Sequence, residues 1–118
     1  MGAFRKEIEI GGPDGSRYDS FIALVDTGAS MSTLPASSLR ELEVTPHNQL
    51  TIALADGRRI QRDVGQTWVR IDERAIITQI VFGDESVQPI LGAYTLQGLM
   101  LAVETPNERL VRTEALLM

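Results

Sequence analysis

An all-β sandwich or barrel is the fold class this sequence predicts, and three observations predict it. Short segments alternate apolar and polar residues with a period of two, and others are compact β-rich runs. Turn signals separate these segments at intervals of roughly ten residues. Residues 4–10 set Phe4, Ile8 and Ile10 on one face and Glu7 and Glu9 on the other. Gly11-Gly12-Pro13-Asp14-Gly15 then breaks the chain and permits a reversal. Residues 17–25 form the second strand, expected to enter the core completely at Phe21-Ile22-Ala23-Leu24-Val25. Asp26-Thr27-Gly28 interrupts it, and residues 31–34 resume a short extended stretch.

Pro35 fits the first position of a short helix through Leu42, where its missing N–H costs nothing. Residues 50–54 are the next strand, and Ala55-Asp56-Gly57-Arg58 carries the Asp-Gly signature of a two-residue hairpin turn. The return strand covers residues 59–64. Residues 67–71 and 75–82 make another hairpin around Asp72-Glu73-Arg74. Trp68, Phe21 and Phe82 read as core strand residues. Ile90-Leu91 is a short apolar strand, Gly92 a breaker, and residues 93–99 a short helix. Residues 100–104 and 110–112 close the fold around Thr105-Pro106-Asn107-Glu108.

Composition bounds the function. The chain has 118 residues, 43% of them hydrophobic and 23% charged, which suits one globular domain over residues 1–118. Eleven basic residues against sixteen acidic give a net charge of −5, shared between both halves of the chain. That argues against a nucleic-acid partner, which needs a basic face; Arg58, Arg59 and Arg62 are too small a cluster for one. With no cysteine, disulfides, thiol catalysis and zinc–thiolate sites are excluded. His47 is the single histidine and reads as a loop residue, so no metal site is expected. There is no Gly-x-Ser-x-Gly elbow for a serine hydrolase. The longest apolar runs, residues 21–25 and 99–103, fall far short of the ~20 residues that span a bilayer. The N-terminus alternates charge without an apolar signal-peptide region, so no membrane partner is expected and the chain reads as cytoplasmic.

The informative segment is Phe21-Ile22-Ala23-Leu24-Val25-Asp26-Thr27-Gly28-Ala29-Ser30. An apolar run leads straight into a carboxylate, so Asp26 sits where a buried strand ends. An ionised carboxylate there loses solvation unless hydrogen bonds replace it. The Thr27 hydroxyl and the Gly28 backbone N–H are both candidate donors. More than sixty residues later, Ile90-Leu91-Gly92 again joins two apolar residues to a glycine, just before a helical pattern.

The order of strand, Asp-Thr-Gly, strand, hairpin, strands, Ile-Leu-Gly, helix and terminal strand resembles the retropepsin family, the single-domain aspartic proteases of retroviral type. The resemblance covers roughly residues 4 to 112. It implies a closed, barrel-like β fold with one or two short helices. In it, Asp26 matches the catalytic aspartate, Thr27 the threonine reaching across a dimer axis, and Gly28 the glycine cradling the carboxylates. Ala29 and Ser30 match positions lining a substrate groove. Leu24 matches a pocket wall, and Ile90, Leu91 and Gly92 match the loop beneath the active-site turn, with Ile90 also facing a pocket. The Ala55-Asp56-Gly57-Arg58 hairpin matches the flap that folds over substrate.

Aspartic-protease chemistry needs two carboxylates sharing a proton, and this chain has one such motif. The resemblance therefore implies a two-fold homodimer with the site on its axis. It implies a peptide or protein substrate, bound as an extended and mainly apolar segment, and no cofactor. Two departures stand out. Retroviral members usually have Asp where Ser30 stands and Arg directly after the glycine matched by Gly92, where this chain has Ala93. Their flaps are glycine-rich and apolar at the tip, while this one offers Gly57 between Asp56 and Arg58-Arg59. A catalytically silent dimerisation or peptide-binding module on the same fold is the alternative these departures favour.

Overall fold

The computed structural model describes residues 4–114. The elements in chain order are β1 (Phe4–Gly11), β2 (Tyr18–Val25), β3 (Ser32–Pro35), α1 (Ala36–Glu41), β4 (Pro46–Ala53) and β5 (Arg59–Ile71). They continue as β6 (Arg74–Gly83), β7 (Ile90–Leu91), α2 (Ala93–Gly98), β8 (Leu101–Glu104) and β9 (Arg109–Arg112). No described helix is long and apolar enough to cross a membrane.

The main sheet runs β1-β2-β7-β3-β6-β5-β4, and β1 also pairs with β5 through Glu9↔Arg70 and Ile10↔Val69. That extra pairing closes β1, β2, β7, β3, β6 and β5 into a ring and removes their free edges. β4 stays outside the ring, paired to the first half of β5. Inside the ring lie Ile8, Ile10, Val25, Leu34, Ile80 and Leu91, each almost fully buried. Alternation produces this interior: β1 buries Ile8 and Ile10 while Arg5 and Glu7 face out. β8 and β9 form a separate two-stranded sheet, with Leu101, Val103 and Leu110 packed on the core.

Several expectations change in three dimensions. β2 does not enter the core completely: Ala23 and Val25 are buried, but Ile22 is 54% exposed. A pleated strand inside a barrel wall has one inner face, and Ile22 lies on the outer one opposite Glu7. The strands expected at residues 59–64 and 67–71 are one strand of 13 residues. Gly65 and Gln66, left between the two expected strands, continue its ladder against Ile80 and Gln79, and Gly65 is held on both sides. Trp68 is half-buried on the outside of β5, over the β1–β2 turn at Gly11 and Gly15. Its neighbour Thr67 takes the inner place, with its hydroxyl donating to the Gly11 carbonyl. Pro35 occupies the cap position ahead of α1 (φ −57°, ψ 140°) instead of the first helical turn. His47 lies in β4, exposed, where the register shifts between Pro46 and Asn48.

The outward placement of Ile22 has a measurable consequence. Ile22→Thr should shift the unfolding free energy by under about 0.5 kcal/mol. Val25→Ala, three residues on and buried, should cost about 2 kcal/mol or more in the same denaturant titration.

Candidate active site

Asp26 follows the last residue of β2, and β7 determines where that point lies. β7 runs parallel to β2, pairing Leu24 with Ile90 and Val25 with Leu91. The Leu24 N–H donates to the Pro89 carbonyl at 2.9 Å and the Asp26 N–H to the Leu91 carbonyl at 3.0 Å. The chain then turns: the Ala29 N–H returns to the Asp26 carbonyl at 3.1 Å. The Gly28 N–H donates to the Asp26 carboxylate at 2.9 Å. Of the two donors expected from the sequence, Gly28 bonds the carboxylate; Thr27 is exposed and makes no bond to it among the described residues. Asp26 itself is half-buried, so one side of its carboxylate stays open.

Under this turn lies the segment from Gly92 into α2. The first N–H groups of a helix lack partners within it. Here the Ala93 N–H donates to the Ala29 carbonyl at 2.8 Å and the Tyr94 N–H to the Ser30 carbonyl at 3.0 Å. The Gly92 N–H donates to the Ser32 hydroxyl at 2.9 Å, and Ser32 shares a 2.6 Å hydrogen bond with Thr95. Both hydroxyls are buried. A Cβ on Gly92 would lie 2.5 Å from the Met31 carbonyl oxygen and 3.0 Å from that of Ala29. Only glycine permits the two backbones to approach this closely. Ser32 and Thr95 carry no signal in the sequence, because a hydroxyl beside apolar residues reads equally well as surface.

Above the turn stands the β4–β5 hairpin, and between them opens a groove of about 870 Å³. Asp26, Gly28, Ala29, Ser30 and Ile90 line it from the body, and Ala55 and Arg58 from the hairpin tip. Four residues singled out in the sequence do not line it. Thr27 is exposed on the turn, and Leu24 is half-buried on β2. Asp56 and Gly57 form the outer point of the hairpin. The structure adds Met31, Leu50, Ile52, Ile60 and Val87, which give the groove its apolar surface, and the charged pair Arg62 and Asp84.

Solved structures share this fold, among them two viral proteases. A solution structure of the simian foamy virus (mac) protease superposes with a TM-score of 0.58 at 21% identity, covering 82% of this chain and 96% of that one. The EIAV protease complexed with the inhibitor HBY-793 gives 0.61 at 20% identity, covering 84% of this chain and 89% of that one. The fold is that of the retropepsins. At one-fifth identity the likeness is one of fold, and no protein-family model and no curated protein matches the sequence.

On this retropepsin fold, local hydrogen bonds shape the hairpin and the groove rim. The hairpin tip is not the expected two-residue turn. Leu54 and Arg58 bracket a three-residue loop, with the Leu54 N–H on the Arg58 carbonyl (2.8 Å) and the Gly57 N–H on the Leu54 carbonyl (2.9 Å). Gly57 closes it at φ +90°, the left-handed residue that this longer loop requires. Asp56 accepts from the Arg58 N–H at 3.0 Å and its Nε at 2.7 Å, and these bonds hold its carboxyl below the usual range. The rim between β6 and β7 is tied to α1: Glu85 accepts from the Ser37 hydroxyl and from its backbone N–H at 3.0 Å. Those bonds, the hydroxyl's first, lower the Glu85 pKa.

Two outcomes follow from this geometry. Ser32→Ala leaves the Gly92 N–H and the Thr95 hydroxyl without their buried partner and should cost about 1–3 kcal/mol in chemical denaturation. Glu85 has a folded pKa below its unfolded value of 4.5, so its contribution is present above that value and disappears as pH falls through the folded pKa. Glu85→Gln should therefore lower Tm at neutral pH and flatten its decline below pH 4.5, checked by melts across that range.

Proposed function

We propose that the chain is a homodimeric aspartic endopeptidase that hydrolyses peptide bonds in extended, mainly apolar segments. The observation that carries this reading is the Asp26 carboxylate on the groove floor, held on one side by the Gly28 N–H and open on the other. One chain supplies one such group, and the exposed Thr27 and Gly28 leave that side of the turn free for a second copy. Two-fold pairing then brings two Asp26 side chains together.

Carboxylates about 3 Å apart cannot both ionise at moderate pH, so they hold one proton between them and titrate as a pair. The ionised member takes a proton from a water lying between them. That water attacks the scissile carbonyl carbon, and the protonated member donates to the carbonyl oxygen as charge develops there. Proton transfer to the departing amine completes the cleavage. Thr27 steadies the pair across the axis, and Gly28 brings backbone close to it. Ala29, Ser30 and Ile90 receive substrate side chains, and Leu24 walls a pocket that the second copy completes. The β4–β5 hairpin, through Ala55, Asp56, Gly57 and Arg58, acts as a flap that adds the substrate as an extended strand and excludes water. The apolar surface from Met31, Leu50, Ile52, Ile60 and Val87 supports the preference for apolar segments.

A silent peptide-binding module is the second reading, and the Asp56–Arg58 pairing at the hairpin tip favours it, since a charged tip resists burial over a substrate. Digestion of a broad peptide library separates the two. The protease should show a bell-shaped pH profile set by the coupled pair and a specific activity that falls on dilution as dimers separate. Asp26→Asn should lose about 10²–10⁴-fold in kcat/KM while keeping its fold by circular dichroism. Cleavage by Asp26→Asn at the parent rate would overturn the mechanism.

A further inference from the structure

Among the described residues, β4 is the outer strand of the main sheet, paired only with β5, so the hairpin projects from the barrel on one flank. Most charges on it are spent locally. Arg58 is taken by Asp56, and Asp63 accepts from Gln49 across the two hairpin strands at 3.1 Å. Arg62 differs. Its Nη2 reaches both carboxylate oxygens of Asp84, at 2.9 and 3.1 Å, while its Nη1 donates to the Gln61 carbonyl at 2.9 Å. Among the described residues this is the ion pair that joins residues 46–64, the projecting part of the hairpin, to the body, and both partners line the groove.

Asp84 opens the segment that links β6 to β7, and that segment is itself secured. Glu85 is held by Ser37, Gln88 accepts from Arg5 at 3.1 Å, and the Pro89 carbonyl receives the Leu24 N–H. It then becomes Ile90-Leu91, whose Leu91 carbonyl fixes the Asp26 backbone. Arg62 therefore grips the part of the body that also sets the position of the candidate catalytic turn.

We infer that Arg62 is a positioning residue whose ion pair with Asp84 clasps the β4–β5 hairpin at its working height over the groove. An exposed pair of this kind contributes little to global stability. Its effect falls on a local equilibrium, the fraction of molecules with the hairpin down, where a small free energy changes populations severalfold. A substrate that must lie under the hairpin binds more weakly in proportion to the loss of that fraction. This consequence for substrate rests on the protease reading above; the clasp itself does not.

The test is hydrogen–deuterium exchange on the full chain, paired with peptide cleavage, for Arg62→Ala, Asp84→Asn and the double variant. Each single variant should speed exchange of the residue 50–61 amides by about two- to fivefold. Amides at residues 67–71, inside the barrel wall, should keep their protection and report that the fold is intact. The double variant should add nothing further, because each single change already breaks the same pair. Arg62→Lys should restore part of the protection. In cleavage, KM should rise by at most that factor, reaching it where the raised hairpin predominates, with kcat moving less. Unchanged exchange at residues 50–61, additive effects in the double variant, or a KM that rises by more than exchange does would each overturn the clasp. Faster hairpin exchange with no cleavage by the parent chain would uphold the clasp and remove the protease reading instead.

Discussion

The Gly92 backbone presses against the carbonyls of Ala29 and Met31 with no room for a side chain, and the rest of the site depends on that approach. It brings α2's first N–H groups onto the Ala29 and Ser30 carbonyls and seats the Gly92 N–H on Ser32. Together with the Ser32–Thr95 bond, these lock the strand after Asp26 to the segment after β7. Each such bond contributes about 1 kcal/mol net, and leaving one unmade in a buried place costs more. A domain with a net stability of about 5–15 kcal/mol has little margin to lose the set. The site is thus built by backbone complementarity first, and the carboxylate rides on it.

This lock also bears on two positions where the chain departs from the usual retroviral residues. Where retroviral members usually place Asp and Arg, this chain has Ser30 and Ala93, and the same two stretches meet through main-chain bonds from Ala93 and Tyr94. The link between the turn and the helix survives in neutral form. Ion pairs sit further out, at the Asp56–Arg58 hairpin tip and the Arg62–Asp84 rim, where solvation makes charge cheap to keep.

Closure of the barrel explains which sequence expectations changed. Alternation along residues 4–10 marked the inner face of β1 correctly, since one side of that strand meets the core. In β2 the apolar run hides its polarity of facing, because Ile22 and Val25 look alike as residues and only their places on opposite faces of the pleat separate them. Residues 65 and 66 fall between two expected strands, yet strands on both sides claim the Gly65 backbone. Asp-Gly in the hairpin fits two turn lengths, and the ladder between Leu54 and Arg58 selects the longer. Trp68 looks like core by size, yet the smaller Thr67 takes the inner place by strand parity.

By itself the sequence determined the succession of strands, the two short helices, Asp26 at a strand end and the later Ile90-Leu91-Gly92. These are local: periodicity, turn residues and a polar group terminating an apolar run need no distant partner. Tertiary structure alone decided that Leu91 holds Asp26, that Ser32 and Thr95 lie buried together, and that Arg62 meets Asp84 at the groove's edge. Those pairings join residues from about twenty to more than sixty positions apart. No local pattern encodes them, because they exist only once β7 has entered between β2 and β3 and the ring has closed.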